Sequence, residues 1–358
     1  MTHKMPLNLS VFLNAVRLLA GFFVVLLSAQ TLFGLPLFPA NCRFGNETAI
    51  LFFVISGFLT RYTSQENKID RRTFVVMRAS KIYSAAFTVI LICSLIDYLG
   101  STARPAAYTA FGLDGTYSAP DLFNLMRYLT FTPESWAGHF QLGTMATYWM
   151  LAYIVMFYVF YGFTAFQTRP PYVLMAVWFL IAGPKIALYL STWLLGMAAY
   201  DFIRKYRFGL SLALALGLFI FSLVAFVAAM VFAGPAINFS MTSPANIQVI
   251  GLSYLYHLAI AIIVALNLIG VERLIRYLPP VSAAMATTVE WLSQANLTVF
   301  LLHPTLMAAA VAFYPPLTRD PLKAALATIA VVMACLLMAE FGERRRLRFQ
   351  GFFEKLFS

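Results

Sequence analysis

The chain has 358 residues, of which 61% are hydrophobic and 11% are charged, whereas about a quarter of the residues are charged in an ordinary soluble domain. This composition excludes a soluble globular enzyme and a disordered chain, and it predicts an integral membrane protein. The net charge of +11 does not indicate nucleic-acid binding, because the Lys and Arg residues stand in short clusters between apolar stretches, where they set membrane orientation.

Ten apolar runs predict the fold class, an all-α polytopic membrane protein of about ten transmembrane helices, since about 20 apolar residues cross the hydrocarbon core. The runs cover residues 9–34, 48–62, 80–100, 144–167, 171–183, 185–203, 208–233, 247–270, 289–314 and 322–341. The second and fifth are short enough to be bent, tilted or only partly spanning. Residues 1–341 are predicted to form one transmembrane domain, and residues 342–358 a basic amphipathic tail on the inner membrane surface.

The distribution of basic residues predicts that both termini are cytoplasmic. If the N-terminus is inside, 18 of the 25 Lys and Arg residues fall in cytoplasmic segments and six fall outside, with Arg17 left within the first helix. Because cytoplasmic loops carry an excess of Lys and Arg, this asymmetry supports the orientation and an even number of helices.

Arg17 is a functional candidate because it lies about two turns into the first apolar run. A guanidinium at that depth costs several kcal/mol unless it finds a partner, and such residues mark functional sites. The alternative interpretation is that Arg17 snorkels to the inner interface. Asn14, three residues earlier, shares its helical face.

The second apolar run, LFFVISGFLTRY at residues 51–62, contains Ser56 and Gly57 among phenylalanines. Small residues in a membrane helix let another backbone or a ligand approach closely. Of these two interpretations, we favour close packing of helices.

A basic segment, RRTFVVMRASKIY, follows on the predicted inner side. Its side chains are suited to the phosphates of a cytoplasmic donor: Arg71, Arg72, Arg78, Lys81 and Tyr83. Lipid head groups and the positive-inside rule explain the same charges equally well.

His303 lies in the apolar sequence FLLHP of the ninth run. An imidazole among Phe and Leu must form a hydrogen bond or stay neutral, and Pro304 frees a backbone carbonyl that could be its partner. His303 is therefore a candidate base, with a structural role as the alternative. His257, in SYLYHLAIA, is a weaker candidate of the same kind.

The predicted outer loop at 101–143 carries His139, which is close in sequence to Glu134 and Trp136. In this position His139 could meet a polar acceptor, whereas a solvated loop histidine is the simpler interpretation. The chain has no Gly-rich phosphate motif, paired-carboxylate signature, HExxH motif or nucleophile elbow, so no metal site is predicted.

Several segments, in this order, resemble bacterial membrane-bound acyltransferase family 3, the O-acyltransferases that modify lipopolysaccharide, exopolysaccharide, peptidoglycan and lipid-linked sugars. NAVRLLAGFFVVLL at 14–27 resembles the family's LRGLAALLVVLFH, LFFVISGFL at 51–59 its LFFVLSGFL, and RRTFVVMRASKIY its RRFLRRRLLRIYP. STWLLGMAAYDF at 191–202 resembles FLLGMLLAYL, and LSQANLTVFLLHP at 292–304 resembles ISYSLYLLHP. The closing GERRRLRF is similar to the family's Glu-Arg-Pro segment, without its proline.

The resemblance implies a multi-pass protein of the bacterial inner membrane that takes acyl-CoA, usually acetyl-CoA, as donor substrate with no permanently bound cofactor. The acceptor implied is a sugar hydroxyl of a glycan or lipid-linked sugar.

Three positions of this chain depart from the family pattern. Its catalytic histidine, eleven residues after the arginine, corresponds to Ser28, and its aspartate three residues before the arginine corresponds to Asn14. Its glutamate in a WSLxxE-type segment has no counterpart in TYWMLAYIVMFY at 147–158.

Two hypotheses follow. In the first, the chain is an acyltransferase in which His303, or else His139 or His257, is the base. Arg17 then orients the donor, and the basic segment binds the CoA phosphates. In the second, it is a catalytically silent relative that binds, assembles or translocates a lipid-linked glycan. The predicted catalytic residues are His303, Arg17 and Ser28, and the predicted substrate-binding residues are His139, Trp136 and Glu47.

Overall fold

The computed structural model describes residues 5–38, 45–111, 122–136, 138–167, 171–206, 210–233 and 247–357. Apart from two short 3-10 turns and one π turn, the regular elements in these ranges are α-helices, which confirms the all-α fold class. They are α1 Leu7–Phe33, α2 Gly45–Glu66, α3 Arg71–Ala103, α4 Pro105–Thr109, α5 Leu122–Leu129, α6 Tyr148–Thr164, α7 Tyr172–Lys205, α8 Leu212–Ala228, α9 Ile247–Ile275, α10 Ala283–Ser293, α11 Asn296–Phe313, α12 Pro321–Met338 and α13 Arg346–Leu356.

Within the described ranges, seven helical segments are long and apolar enough to cross a membrane, so the chain is a polytopic membrane protein. They are Leu7–Phe33, Arg71–Ala103, Tyr172–Lys205, Leu212–Phe232, Gly251–Ile275, Asn296–Phe313 and Pro321–Leu356. The predicted run 48–62 lies inside the longer α2, and the run 144–167 corresponds to the 17-residue α6; neither helix is among the seven.

Helix breaks account for other differences from the ten predicted runs. The runs 171–183 and 185–203 both fall in α7, which is interrupted at Gly183, where φ is 81° and the next residue is Pro184. Glycine is required there because a side chain disfavours this backbone conformation. The run 289–314 begins in α10 and continues in α11, with a break after Ser293.

The chain forms two compact units. The first comprises Met1–Ala20, Asn41–Arg71 and Gly183–Ser293, and the second comprises Gly21–Ala40, Arg72–Ala182 and Gln294–Ser358.

In the first unit, α2 and the later half of α7 cross in backbone contact at two glycines. A Cβ atom built on Gly57 would lie 2.0 Å from the carbonyl oxygen of Trp193, and one built on Gly196 would lie 1.9 Å from that of Val54. The indole of Trp193 also donates a hydrogen bond to Ser56 Oγ at 3.3 Å. The interpretation of Ser56-Gly57 as a packing site is therefore confirmed.

Hydrogen bonds between side chains join α9 of the first unit to α2 and to α8. Tyr256 of α9 donates to Glu47 of α2 at 2.7 Å, and Asn267 of α9 donates to Ser222 of α8 at 2.9 Å. Hydrogen bonds between helices stabilise their packing in lipid, where unpaired polar groups are costly.

In the second unit, the tail packs onto the start of α3. The guanidinium of Arg72 donates to the carbonyl of Glu354 at 3.0 Å, and the rings of Tyr83 and Phe353 lie 5.5 Å apart. The predicted amphipathic tail thus contains a helix, α13, with one side held against α3.

Candidate active site

The centre of the candidate site is a hydrogen bond between Ser28 of α1 and His303 of α11, both in the second unit. Ser28 Oγ lies 2.9 Å from His303 Nε2, and His303 Nδ1 lies 2.9 Å from the carbonyl oxygen of Val299. Because a carbonyl only accepts, Nδ1 carries the proton, and Nε2 of the neutral ring accepts from the serine hydroxyl. The arrangement is therefore a serine hydroxyl directed at a basic nitrogen.

The packing of α1 against α11 sets this contact at a matching register on both helices. Seven residues before Ser28, Gly21 lies so close to Asn296 that an added Cβ would be 2.6 Å from its Oδ1, and Asn296 is seven residues before His303. Seven residues are about two turns, so each pair of positions shares one helical face. The end of α1 and the start of α11 thus run parallel.

The carbonyl freed by Pro304 lies within reach of the His303 ring, as expected, and it also has a second partner. A proline at position 304 leaves the carbonyl of Phe300 without its helical donor, and Thr147 Oγ1 donates to it at 2.7 Å. The Nδ1 contact of His303 is made with Val299. His303 is fully buried, so this contact and the bond to Ser28 fix its ring orientation.

Asp97, a buried acidic residue that is not among the predicted site residues, is connected to α11 through Thr144. Asp97 of α3 accepts from the backbone N–H and the hydroxyl of Thr144, each at 2.8 Å. Thr144 Oγ1 is in turn 2.8 Å from Thr305 Oγ1, two residues after His303. An aspartate inside an apolar run is itself a functional signal, and that signal could have identified Asp97.

Glu343, close to the C-terminal helix α13, accepts hydrogen bonds from the N-terminal turn of α11. Its Oε2 accepts from the backbone N–H of Thr298 at 2.8 Å and from the Thr298 hydroxyl at 3.0 Å, in the first turn of α11. A negative charge stabilises a helix N-terminus, where backbone N–H groups lack partners. Glu343 is therefore a positioning residue for the helix that carries His303.

We expect Glu343→Gln to lower the free energy of unfolding by about 0.3–2 kcal/mol, because the amide keeps an acceptor oxygen but loses the negative charge at the helix N-terminus. The measurement is the thermal midpoint of the purified chain in detergent. Glu340→Gln is the matched control, because Glu340 is half exposed and pairs with Arg344. Equal midpoints for the two variants would contradict the capping role.

Most of the predicted donor-binding side chains are engaged in packing. Arg78 stacks over the ring of Tyr158 at 4.7 Å, and the hydroxyl of Tyr83 donates to the carbonyl of Leu129 at 3.0 Å. Arg72 bonds the tail as described above, and Lys81 is half-buried. Arg71, which ends the second of the three segments of the first unit, has an exposed side chain.

The predicted substrate-binding residues divide between the units. His139 Nδ1 lies 2.6 Å from Glu134 Oε1, and this carboxylate is buried while the imidazole is partly exposed. Trp136 is 49% exposed and donates from its indole to the carbonyl of Leu180. Glu47 is buried and accepts a hydrogen bond from Tyr256, and both residues belong to the first unit.

The first unit also holds Arg17 and His257. Arg17 is half-buried in α1. His257 is buried, with Nδ1 2.8 Å from the hydroxyl of Tyr189, so a structural partner accounts for it. The structure thus joins two of the predicted catalytic residues, Ser28 and His303, in one contact.

A family model described as an acyltransferase domain matches residues 10–340, nearly the whole chain. No curated protein and no solved structure matches the chain.

Proposed function

The chain belongs to membrane acyltransferase family 3, and from that premise we propose that it moves an acyl group, typically acetyl, from acyl-CoA to a sugar hydroxyl. The acceptor would be a surface polysaccharide or a lipid-linked glycan, and the membrane the bacterial inner membrane. The observation that carries the proposal is the contact between Ser28 Oγ and His303 Nε2 at 2.9 Å.

This contact supports catalysis even though a serine, Ser28, stands in place of the family's catalytic histidine. Serine cannot act as a general base near neutral pH, whereas imidazole can. His303, from a distant part of the chain, has its Nε2 2.9 Å from Ser28 Oγ, and Ser28 stands where the family pattern has its histidine. The Val299 carbonyl holds the ring in the tautomer that leaves Nε2 free of a proton.

The donor side of the proposal rests on basic side chains. Arg71 is the exposed first residue of α3, and Lys81 is half-buried almost three turns later; positive charge on such side chains suits the phosphates of CoA. Arg17, on α1, is the residue predicted to orient the donor.

We expect acetyl-CoA to raise the thermal midpoint of the purified chain, because a ligand of the folded state stabilises it by about 2.7 kcal/mol at a hundred times its Kd. The comparison ligand is S-acetylpantetheine, which carries the thioester without the nucleotide phosphates and should give a smaller shift. Equal shifts would show that the phosphates are not recognised, and no shift with acetyl-CoA would contradict the donor assignment.

The acceptor side rests on the segment around His139. An exposed indole and an imidazole held by a buried carboxylate are groups suited to stacking on a sugar and hydrogen-bonding its hydroxyls. Trp136 also has φ of 60°, a conformation that is costly for a bulky residue and concentrates at functional sites.

The test is mass spectrometry of surface glycans from a deletion strain complemented with the native gene or with His303→Ala. Loss of an acyl mass on deletion, restored by the native gene and not by the variant, is the expected result. An unchanged acyl pattern with altered glycan amount or length would contradict the proposal and support a silent relative that assembles or translocates a glycan.

A further inference from the structure

We propose that Ser28 is the first acceptor of the acyl group, so that transfer proceeds through a covalent acyl-serine ester. This inference rests on the proposed function and deepens it. In a direct transfer, the hydroxyl of the acceptor sugar would have to form the hydrogen bond to Nε2 of His303. In this structure Ser28 Oγ is already hydrogen-bonded there, at 2.9 Å.

The pair has the arrangement of an activated nucleophile. A serine hydroxyl is a weak nucleophile until a base within hydrogen-bond reach removes its proton, and that base must be oriented by a third group. Nε2 of His303 is the base, and the carbonyl of Val299, 2.9 Å from Nδ1, is the third group.

The contact is also fixed by the helices on either side. Gly21 and Asn296 approach closely two turns earlier on the same two helices, so the spacing of Ser28 from His303 follows from backbone register. His303 is fully buried and Ser28 is half-buried. Such a site shields an ester from water, which favours transfer over hydrolysis.

The chemistry balances in two steps. In the first, Ser28 Oγ attacks the thioester carbonyl as its proton passes to His303 Nε2, the C–S bond breaks, and the thiolate of CoA takes that proton. In the second, the acceptor hydroxyl gives its proton to Nε2 and attacks the ester carbonyl. The bond to Ser28 Oγ then breaks, and the serine regains its proton from the imidazolium.

The experiment incubates the purified full chain with acetyl-CoA labelled in the acetyl group, without any acceptor, and locates the label by peptide mass spectrometry. The expected result is an added acetyl group on Ser28, and a parallel reaction of unlabelled acetyl-CoA with isotopically labelled free CoA should show exchange of the CoA label into acetyl-CoA. Label and exchange should fall at least tenfold in Ser28→Ala and in His303→Gln.

Two further variants separate chemistry from folding. Ser28→Cys should be labelled as a thioester that neutral hydroxylamine releases, whereas the label on the native serine ester should resist that treatment. Ser101→Ala is the matched control, because Ser101 lies on a membrane helix and its hydroxyl bonds the backbone carbonyl of Tyr98. It should be labelled as the native chain is.

The outcomes distinguish this inference from the proposed function. If the native gene restores glycan acylation and Ser28→Ala does so equally well, with neither label nor exchange in the native chain, the covalent step is overturned and the acyltransferase assignment stands. If no glycan acylation depends on the gene and no label appears, both are overturned. Label on a residue other than Ser28 would also overturn the inference.

Discussion

Replacement of His303 by glutamine is expected to lower acyl transfer by about a hundred- to ten-thousand-fold, the usual contribution of general acid–base catalysis. Glutamine is similar in size, and its amide can donate to the Val299 carbonyl and accept from Ser28, so the contacts of the buried site have replacements. It has no basic nitrogen, so the serine hydroxyl loses its proton acceptor. The measurement is the acyl content of surface glycans in a complemented deletion strain.

The matched comparison is His257→Gln, which changes another buried histidine whose partner is Tyr189 in the first unit. We expect this variant to keep acyl transfer near the native level. His139→Gln tests the remaining histidine of the first hypothesis. Native transfer in His303→Gln, with loss in either other variant, would show that the base is misassigned.

Alanine at Gly57 or Gly196 is expected to have the largest effect on folding. A Cβ at either position would lie 2.0 Å or less from a backbone carbonyl oxygen of the facing helix, well inside the 3.0 Å below which such contacts essentially never occur. Since backbone cannot rotate away as a long side chain can, α2 and α7 must separate. We expect each substitution to lower the free energy of unfolding by about 1–3 kcal/mol or more.

Thermal midpoints of the variants in detergent measure this effect. Gly217→Ala is the control, because Gly217 is in α8 and an added Cβ there has no atom within 4 Å; the variant should match or exceed the native midpoint, since alanine favours helix. The double variant Gly57→Ala/Gly196→Ala should cost less than the sum of the single changes, because one separation relieves both contacts. Native midpoints for both single variants would contradict the close crossing.

Features that depend on local sequence were predictable. Apolar runs give helices because every backbone polar group must be satisfied within the segment in lipid, and the interruption of α7 follows from the adjacent Gly183 and Pro184. The role of Gly57 was predictable because a missing side chain on an apolar helix leaves room for a neighbour. The order of the motifs was sufficient to identify the family that the family model shows.

The number of spans was less predictable, because hydropathy does not specify where a helix ends. The run 289–314 spans the break after Ser293, and the run 144–167 yields a 17-residue helix. Contacts with residues distant in the chain also help to set such boundaries. One example is the carboxylate of Glu343, which bonds the N–H of Thr298 at the start of α11.

The sequence by itself determined the membrane class, the helices and the family, since composition, hydrophobic length and local motifs are properties of neighbouring residues. It also named Ser28 and His303, but it gave no reason to connect them, because they are 275 positions apart. Only the tertiary structure decided that they meet and that Asp97 bonds Thr144, a residue linked to α11 through Thr305. A hydrogen bond depends on ångström distances between side chains, and packing of distant helices alone sets those distances.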